Sequence, residues 1–528
     1  MRPVHSRAPR QESVRAIIRQ VQSYVLPVGD PQCYDATSLI AGAPMAATVL
    51  QYSGTARIET IVSLEVVCMS SMFRIGNCAG FSGDRVDAPG PVVDSLIELG
   101  GPAAIFFETL GERTVALAQL EKRRDPERGY EPMLERLLEP ILLRCARHGI
   151  AIIGNFGAAN PPGAARVIAR LAQRLGLPDL RIGVVYGDDV SERLDTATHE
   201  VYEADTGLDM GGGELVSANA YLNAQPMVDA LKAGAQVVVT GRTGDPSLAL
   251  APLIHHFGWA LDDWAMLAVG ATAGHLLECG AQVTGGYYYD PGYKDIPDPA
   301  NIGFPIAEVH GDGRLIITKA ARTGGLVNAQ VVKEQLLYEI HDPGHYITPD
   351  VILDFRHVTV KEIGRDRVEV SGMRGGPAPQ KIKATVCFDG GWMGEGEISY
   401  AGPNCLARAR AAADVLLERL KLRKLAVEAR VDLIGVASVH SGDSGGRWRA
   451  DTHNAAQDIR VRLAVSARTQ DDADQAAREA LALYCCGPAG GGGVRWRTTQ
   501  RIRTRSYLML PSDLAPGYSV KSAREIAP

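Results

Sequence analysis

RHGIAIIGNFGAANPPGAARVIARLAQRLGLPDLRIGVVYGDDV, residues 147–190, decides the fold of this 528-residue chain. The first apolar run, RHGIAIIGN, is short and closes on Gly-Asn, and the last, RIGVVYGDDV, contains two acids at its end. Between them, PPGAARVIARLAQRLGL has helical periodicity with proline at its start. The pattern predicts a strand, a helix and a second strand, which is the unit from which parallel sheets are built.

The same pattern recurs along the chain and then changes. AYLNAQPMVDALKAG predicts a helix, and AQVVVTGR predicts a β-branched strand covered on both faces. Beyond residue 285 the sequence is strand-rich, with one long helix and a final strand, helix, strand segment. We therefore predict an α/β domain at residues 73–285, with a mainly parallel sheet flanked by helices. A mixed α+β second domain follows at residues 286–512, and residues 513–528 form a C-terminal tail.

Residues 1–72 differ from the rest of the chain. ESVRAIIRQVQSYVL predicts one amphipathic helix, but the residues after it show no sustained period. Met69 and Met72 stand just before the glycine-rich stretch that follows. One hypothesis is that the natural start lies at either methionine and that the preceding residues are an upstream extension. The alternative is an N-terminal arm that packs on the body of the protein or on a partner subunit.

Composition argues against several classes of protein. The 55 basic and 61 acidic residues leave a net charge of −6, which provides no electrostatic footprint for nucleic acid. The nine cysteines are scattered without a CxxC pair, so we expect reduced thiols rather than a disulfide framework. The sequence has no signal-peptide pattern and no long uninterrupted apolar run. We therefore expect a cytoplasmic homo-oligomer with no membrane partner.

The stretch FRIGNCAGFSGDR, residues 73–85, follows a predicted strand and is rich in glycine. Backbone N–H groups in such a loop can hold an anion, and an arginine beside it can bind a carboxylate or phosphate. Asp84 and Arg85 are therefore candidate substrate contacts. The alternative is a tight turn from strand to helix, because the glycine spacing matches no nucleotide-binding motif.

Other polar residues also follow apolar strands. Asn155, Asp188 and Asp189 each come directly after such a run, and ligands of parallel sheets gather at the carboxyl ends of strands. Arg242 and Asp245 lie in the loop after VVVTG, where they could orient a polar substrate. The alternatives are turn and helix caps for the first three residues and a structural ion pair for the last two.

Several long segments together resemble the acyclic terpene utilisation family over residues 73 to about 512. The most extensive are RIGNCAGFSGDRVDAP, SANAYLNAQPMVDALKAGAQVVVTGRTGDPSLALAPLIHHFGW and EQLLYEIHDPGHYITPDVILDF. The resemblance implies a role in the breakdown of acyclic terpenes such as citronellol and geraniol, through branched acyl-CoA thioesters. The sequence departs from the family at NFGAANP, where Phe156 stands in a loop that tends toward NAGGxNP. Contact between that loop and a ligand would alter substrate preference.

GHLLECGAQVTGG, residues 274–286, carries the sharpest catalytic prediction. On a helix, His275, Glu278 and Cys279 point the same way. A histidine of ordinary pKa beside a carboxylate suits general acid–base chemistry on an acyl substrate. Lys319, Gly324 and Gly325 would add a cation beside a glycine loop. The alternatives are a metal site, for which we identify no further ligands, and a capped helix with a buried cysteine.

Two further motifs invite functional interpretation. HSGDSGG, residues 440–446, resembles the surroundings of a protease serine, but the predicted α/β body favours a loop residue at Ser444. The run Gly490 to Gly493 permits close backbone approach, either to a neighbouring sheet or, with Arg495 and Arg497, to the phosphates of a CoA-type ligand.

The sequence thus predicts a catabolic enzyme that acts on a branched or hydroxylated acyl substrate, as its CoA thioester, by lyase or hydratase chemistry. The pathway comes from the family resemblance, while the candidate residues supply acid, base and thiol groups. We identify no cofactor fingerprint and assign no metal. The alternative is a non-catalytic accessory protein that binds an acyl ligand or a pathway enzyme.

Overall fold

Strands and helices alternate through most of the chain. The computed structural model describes residues 72–197, 199–202, 213–439 and 456–528. The strands are β1 (Met72–Asn77), β2 (Ala103–Phe107), β3 (Ala151–Gly154), β4 (Arg181–Tyr186), β5 (Glu200–Val201), β6 (Leu215–Ala220), β7 (Val237–Val239), β8 (Pro305–His310), β9 (Leu315–Lys319), β10 (Tyr346–Ile347), β11 (Ile352–Asp354), β12 (Thr359–Gly364), β13 (Arg367–Ser371), β14 (Arg374–Gly376), β15 (Ile382–Ala401), β16 (Val427–Ile434), β17 (Asp458–Ala467), β18 (Gly492–Met509) and β19 (Gly517–Ser522). The helices are α1 (Pro89–Leu99), α2 (Glu112–Arg124), α3 (Leu134–Leu138), α4 (Leu142–His148), α5 (Pro161–Arg174), α6 (Gln225–Lys232), α7 (Ser247–Phe257), α8 (Trp264–Glu278), α9 (Ala329–Leu336), α10 (Cys405–Leu422), α11 (Gln470–Cys486) and α12 (Ala523–Ile526).

A ten-stranded sheet combines strands from residues 72–371 with β19 near the end of the chain, in the order β12-β13-β9-β8-β1-β2-β3-β7-β4-β19. The central strands β1, β2, β3, β7 and β4 pair in parallel, as the strand, helix, strand pattern predicts. The outer strands pair antiparallel. The α/β class is therefore confirmed, but the prediction of a mainly parallel sheet is wrong, because the sheet is mixed. The short turns between β8 and β9 and between β12 and β13 reverse the chain at once, which forces antiparallel pairing.

The central strands are buried on both faces because their side chains alternate between two apolar cores. Phe106 and Ile153 belong to the core shared with α6, α7 and α8. Ile105 and Ile152 belong to the core shared with α1, α4 and α5. Since neither face of these strands meets water, their sequences are continuous apolar runs instead of alternating ones.

A second sheet is antiparallel throughout, with the order β16-β17-β15-β18-β5 and with β6 paired to β15. Helices α10 and α11 pack against one face of it. A separate α+β domain at residues 286–512 stays a prediction. The pairing of β6 with β15 brings residues 215–220 beside residues 384–388. This pairing places Lys383 of β15 next to the loops of the first sheet.

Among the described residues, no helix is long and apolar enough to cross a membrane.

Candidate functional site

Polar side chains converge at the carboxyl ends of the parallel strands, where the sequence predicts ligand contacts. Glu108 follows β2, Asn155 follows β3, Asp188 follows β4 and Arg242 follows β7. These strands are adjacent in the sheet, so the loops after them share one edge. We call this group the Arg242 cluster, and its members are Glu108, Glu112, Asn155, Asp188, Tyr221, Arg242, Asp245 and Lys383.

Arg242 is the centre of the cluster and is only 2% exposed. Its Nη1 donates to Oδ1 of Asp245 at 2.6 Å and to the carbonyl of Leu110. Its guanidinium carbon lies 3.9 Å from the centroid of the Tyr221 ring. Burial disfavours the charged form, but the charges of Asp245, Tyr221, Glu112 and Glu108 together outweigh it, so the pKa of Arg242 is raised further and the guanidinium stays charged.

Asp188 ties two of the loops together. Its Oδ2 accepts hydrogen bonds from the backbone N–H of Arg242 at 2.8 Å and from Nδ2 of Asn219 at 2.9 Å. A Cβ at Gly241 would lie 2.5 Å from the same oxygen, so only glycine allows this approach. Burial raises the pKa of Asp188 to about 6, against the effect of both donors.

Glu108 is a member of the cluster that the sequence interpretation missed. Its Oε1 accepts from Nδ2 of Asn155 at 2.8 Å and from the backbone N–H of Leu110 at 2.9 Å. Burial, followed by the charge of Asp245, raises the pKa of Glu108 to about 8. A local signal does exist, because Glu108 follows the apolar run AAIFF just as Asn155 follows AIIG.

Glu112, Tyr221 and Lys383 complete the cluster, and no local pattern marks them. The hydroxyl of Tyr221 donates to Oε1 of Glu112, and Nζ of Lys383 lies 3.3 Å from the same oxygen. Burial opposes ionisation of Glu112, but Arg242, the Tyr221 hydroxyl and Lys383 together lower its pKa to about 2. Two carboxyls of one cluster, Glu108 and Glu112, therefore differ in protonation at neutral pH.

Helix α8 places His275 and Glu278 side by side in the interior. Nδ1 of His275 lies 3.4 Å from Oε1 of Glu278, and its Nε2 lies 3.2 Å from the carbonyl of Leu336. Burial lowers the pKa of His275 to about 4 and, with the charge of Asp245 as the next cause, raises the pKa of Glu278. The expected histidine of ordinary pKa is therefore wrong. Burial therefore disfavours the charged form of both groups, which argues against an ion pair at the short contact.

The charge of Asp245 links this pair to the Arg242 cluster, since it is the largest charge acting on Glu278. Oε2 of Glu278 has no hydrogen-bond partner within the described part of the chain. Burial, followed by the charge of Glu278, raises the pKa of the Cys279 thiol, so that the thiolate is disfavoured. The catalytic roles predicted for His275, Glu278 and Cys279 stay predictions, but the chemistry of a reactive thiolate does not fit this environment.

The glycine-rich stretch at residues 73–85 makes room for the end of α8. A Cβ at Gly80 would lie 2.5 Å from the carbonyl carbon of Cys279. Asp84 accepts from the backbone N–H groups of Gly80, at 2.8 Å, and of Arg85, at 2.7 Å. These contacts favour the interpretation as a tight turn.

The side chain of Arg85 is also engaged. It donates to both carboxylate oxygens of Asp87 and to the carbonyl of Ile302 at 2.9 Å. Asp189 likewise accepts from the N–H and hydroxyl of Ser191, at 3.1 and 2.7 Å, which is the contact of a turn cap. The contacts of Arg85 and Asp189 therefore favour the structural interpretations, a tight turn and a turn cap, over substrate contacts.

Lys319 donates to the carbonyl of Thr323 at 2.8 Å within its own turn. Gly324 lies against the backbone of Asp298, and Gly325 has φ +75° and lies against the carbonyl of Thr284. None of these contacts involves the Arg242 cluster or the pair on α8. The three residues therefore have a structural explanation, and their predicted binding role stays a prediction.

A cleft of about 440 Å³ adjoins the Arg242 cluster, and we call it the α2 cleft. Its lining includes Thr109 and Ala158 from the strand-end loops and Leu117 from α2. The N–H of Thr109 donates to Oδ1 of Asn155 at 2.7 Å, which joins the cleft wall to the cluster. Phe156 does not line the cleft, since it is fully buried with its ring edge-on to Phe107. The departure from the family loop at this residue therefore affects the core.

The remaining motifs bear less on the site. A Cβ at Gly491 would lie 2.7 Å from Cδ1 of Ile398, so this glycine packs on its own sheet, and Arg497 pairs with Glu395 of the same sheet. Ser444 and Met69 lie outside the described residues. Within the ranges that the structure describes, no group of three or more His, Cys, Asp or Glu side chains could hold a metal ion.

Comparison with known proteins agrees with the resemblance noted in the sequence. No individually curated protein matches the chain significantly. The sequence model described as acyclic terpene utilisation family protein AtuA matches residues 73–522. The protein therefore belongs to the acyclic terpene utilisation family.

Proposed function

We propose that the protein is a catabolic enzyme of acyclic terpene utilisation that acts on a branched or hydroxylated acyl substrate at the Arg242 cluster. In this proposal the substrate is a CoA thioester and the reaction is of the lyase or hydratase class. Family membership supports the pathway. The observation that supports catalysis is the difference in pKa between two carboxyls, about 8 for Glu108 and about 2 for Glu112.

Two carboxyls with such different pKa values suit a reaction in which a proton is added at one atom and removed at another. Hydration of a double bond places a proton on one carbon and hydroxide on the other, and dehydration reverses both transfers, so neither needs an oxidant. Glu108 holds a proton at neutral pH and can donate it, whereas Glu112 is ionised. The charge of Arg242 can polarise a carbonyl oxygen beside it.

The substrate would approach from the side of Asp245 and Lys383, because their side chains are each 31% exposed while Arg242 is buried. The charge of Asp245 also acts on Glu278, the neighbour of His275 on α8. We propose that this pair holds a proton close to the site, and we retain its predicted requirement for turnover.

A second candidate function, a non-catalytic accessory protein, is favoured by one observation. The charge of Arg242 is already neutralised by Asp245, and every Nη contact of Arg242 is internal to the chain. A group satisfied in this way could shape a binding surface without taking part in a reaction.

The decisive experiment incubates the purified protein with the CoA thioesters of the acids derived from citronellol and geraniol. Mass spectrometry then measures gain or loss of water and cleavage of the carbon chain. Glu108→Gln is expected to lower kcat by about a hundredfold or more. Glu98→Gln is the matched control, because Glu98 is an exposed carboxylate paired with Arg322. Binding of the thioesters without any conversion would favour the accessory protein.

A further inference from the structure

Asn77, the last residue of β1, lies at the edge of the sheet where the polar loops meet. Its backbone pairs in parallel with Phe106 of β2, two residues before Glu108. The side chain of Asn77 is completely buried. An asparagine amide nitrogen carries two N–H groups, so one side chain can join two carbonyl oxygens from different segments of the chain.

Both hydrogen bonds of this amide nitrogen go to backbone carbonyls. Nδ2 of Asn77 donates to the carbonyl of Ala79 at 3.0 Å and to that of Glu278, at the end of α8, at 3.4 Å. The second contact is longer than a typical N–H···O bond and is therefore the weaker one. The carbonyl of Ala79 also accepts from the backbone N–H of Glu108 at 2.9 Å. These contacts connect the backbone of Glu108 to the backbone of Glu278.

A separate contact joins the same two segments. Gly80 packs on the backbone that follows Glu278, since a Cβ on Gly80 would lie 2.5 Å from the carbonyl carbon of Cys279 and 2.7 Å from the nitrogen of Gly280. Close packing of backbone on backbone leaves no side chain that could rotate away. The loop after β1 is thus in contact both with the loop that carries Glu108 and with the end of α8.

The electrostatics agree with this arrangement. Burial, followed by the charges of Glu278, Glu339 and Glu108, raises the pKa of the Cys279 thiol. The charge of Asp245 in turn raises the pKa of both Glu108 and Glu278. Because the interaction of charges weakens with distance, a residue of the Arg242 cluster that acts on the end of α8 lies near it.

We propose that Asn77 is a positioning residue, which holds the end of α8 against the loop of Glu108 so that Glu108 and Glu278 act on one substrate. The Arg242 cluster and the pair on α8 then belong to one site. The role in turnover rests on the proposed function. The holding contact does not, because it joins backbone segments whether or not a reaction follows.

The first test measures the effect of Asn77→Ala on Glu108 without turnover. The variant frees the carbonyl of Glu278, and water can enter the polar space that the amide leaves. Desolvation is the largest cause of the raised pKa of Glu108, so water at this junction should lower that pKa. The charges that act most on Glu108 are Asp245 and Arg242, in the loop after β7, and the variant leaves both in place.

Urea unfolding between pH 4.5 and pH 8 reports this change, because Glu108 takes up its proton on folding within that range. The contribution of Glu108 is the difference between each protein and its Glu108→Gln derivative. In Asn77→Ala the loss of stability that Glu108 contributes as the pH rises should be smaller than in the wild type by about half or more.

Ser95→Ala is the matched control. Ser95 is buried in α1, and its hydroxyl donates to the carbonyl of Pro91 and accepts from the backbone N–H of Ala321, both at 2.8 Å. It therefore also joins two segments, but neither contact involves the Arg242 cluster or the end of α8. This variant should lower the free energy of unfolding equally at every pH and leave the contribution of Glu108 unchanged.

Turnover of the thioesters is the second readout. With the end of α8 displaced, the carboxyl of Glu278 is misplaced relative to a bound substrate. We expect kcat of Asn77→Ala to fall about tenfold or more, while KM stays within about threefold. Ser95→Ala should keep both constants. Gly80→Ala separates the same two segments with Asn77 intact and should reproduce both changes, which provides a test should Asn77→Ala not fold.

The outcomes separate this inference from the proposed function. An unchanged contribution of Glu108 in Asn77→Ala, with stability lower by the same amount at every pH, would make Asn77 a purely structural anchor and overturn the assignment. Turnover at the wild-type rate in the folded variant would also overturn it. If the wild type converts no thioester, the proposed function fails, and the pH dependence alone then decides whether Asn77 joins the two groups.

Discussion

Oδ1 of Asp245 lies 2.6 Å from Nη1 of Arg242, and the two residues are unequally exposed. The guanidinium is buried, whereas 31% of the Asp245 side chain meets solvent. The charge of Asp245 acts on carboxyls in the Arg242 cluster and on α8, since it raises the pKa of Glu108 and of Glu278. One carboxylate thus pairs with a buried cation and adds to the effect of burial in raising the pKa of Glu108 and Glu278.

Removal of this charge should destabilise the fold. Asp245→Asn leaves Arg242 charged and buried with a weaker partner, and loss of one member of a buried pair is costly. We expect the free energy of unfolding in urea to fall by about 2 kcal/mol or more. Asp189→Asn, at an exposed turn, should change it by less than about 0.5 kcal/mol. A small effect of Asp245→Asn would mean that Leu110 and the other carboxyls suffice to hold Arg242.

Stability should depend on the protonation of Glu108. Its pKa rises from 4.5 to about 8 on folding, so between these values the native state binds a proton that the unfolded state has released. The free energy of unfolding contributed by Glu108 is therefore present below pH 4.5 and is lost as the pH rises toward 8. In Glu108→Gln this loss should be absent. Urea titrations across that pH range measure it, and identical profiles of variant and wild type would contradict the prediction.

Glu278→Gln separates structure from chemistry on α8. Burial raises the pKa of Glu278 and so favours its protonated form, which glutamine resembles in shape and charge. We expect the melting temperature to change little and turnover to be lost, since an amide cannot release the proton. If turnover persists in the folded variant, Glu278 has no catalytic role. Unfolding of the variant would instead favour a structural one.

The contact between Gly80 and the end of α8 should tolerate no side chain. Gly80→Ala would place a methyl group 2.5 Å from the carbonyl carbon of Cys279, and overpacking of this kind costs about 1–3 kcal/mol. Gly90→Ala is the matched control, because Gly90 lies in α1 with nothing near its Cβ position. It should stabilise the protein by about 0.5–1 kcal/mol. Equal melting temperatures of the two variants would show that the loop moves to accept the methyl group.

The sequence by itself determined the parallel centre of the first sheet and the edge at which its polar loops meet. The run at residues 147–190 predicts strand, helix and strand from local patterns, and the carboxyl ends of parallel strands lie together for geometric reasons. Local pattern alone therefore places Asn155, Asp188 and Arg242 at one edge. The same rule could also have identified Glu108, because it follows β2 directly.

Only the tertiary structure decided which strands pair beside the parallel centre of the sheet and which charges act on one another. The pairing of β8 with β1 and of β6 with β15 joins segments far apart in sequence, so no local pattern specifies it. Lys383 lies 271 residues from Glu112, and their contact exists only because β15 pairs beside β6. The spacing of His275 and Glu278 was visible in the sequence, but the effect of burial on their pKa values was not. The cost of removing a charge from water depends on what surrounds it in the folded chain.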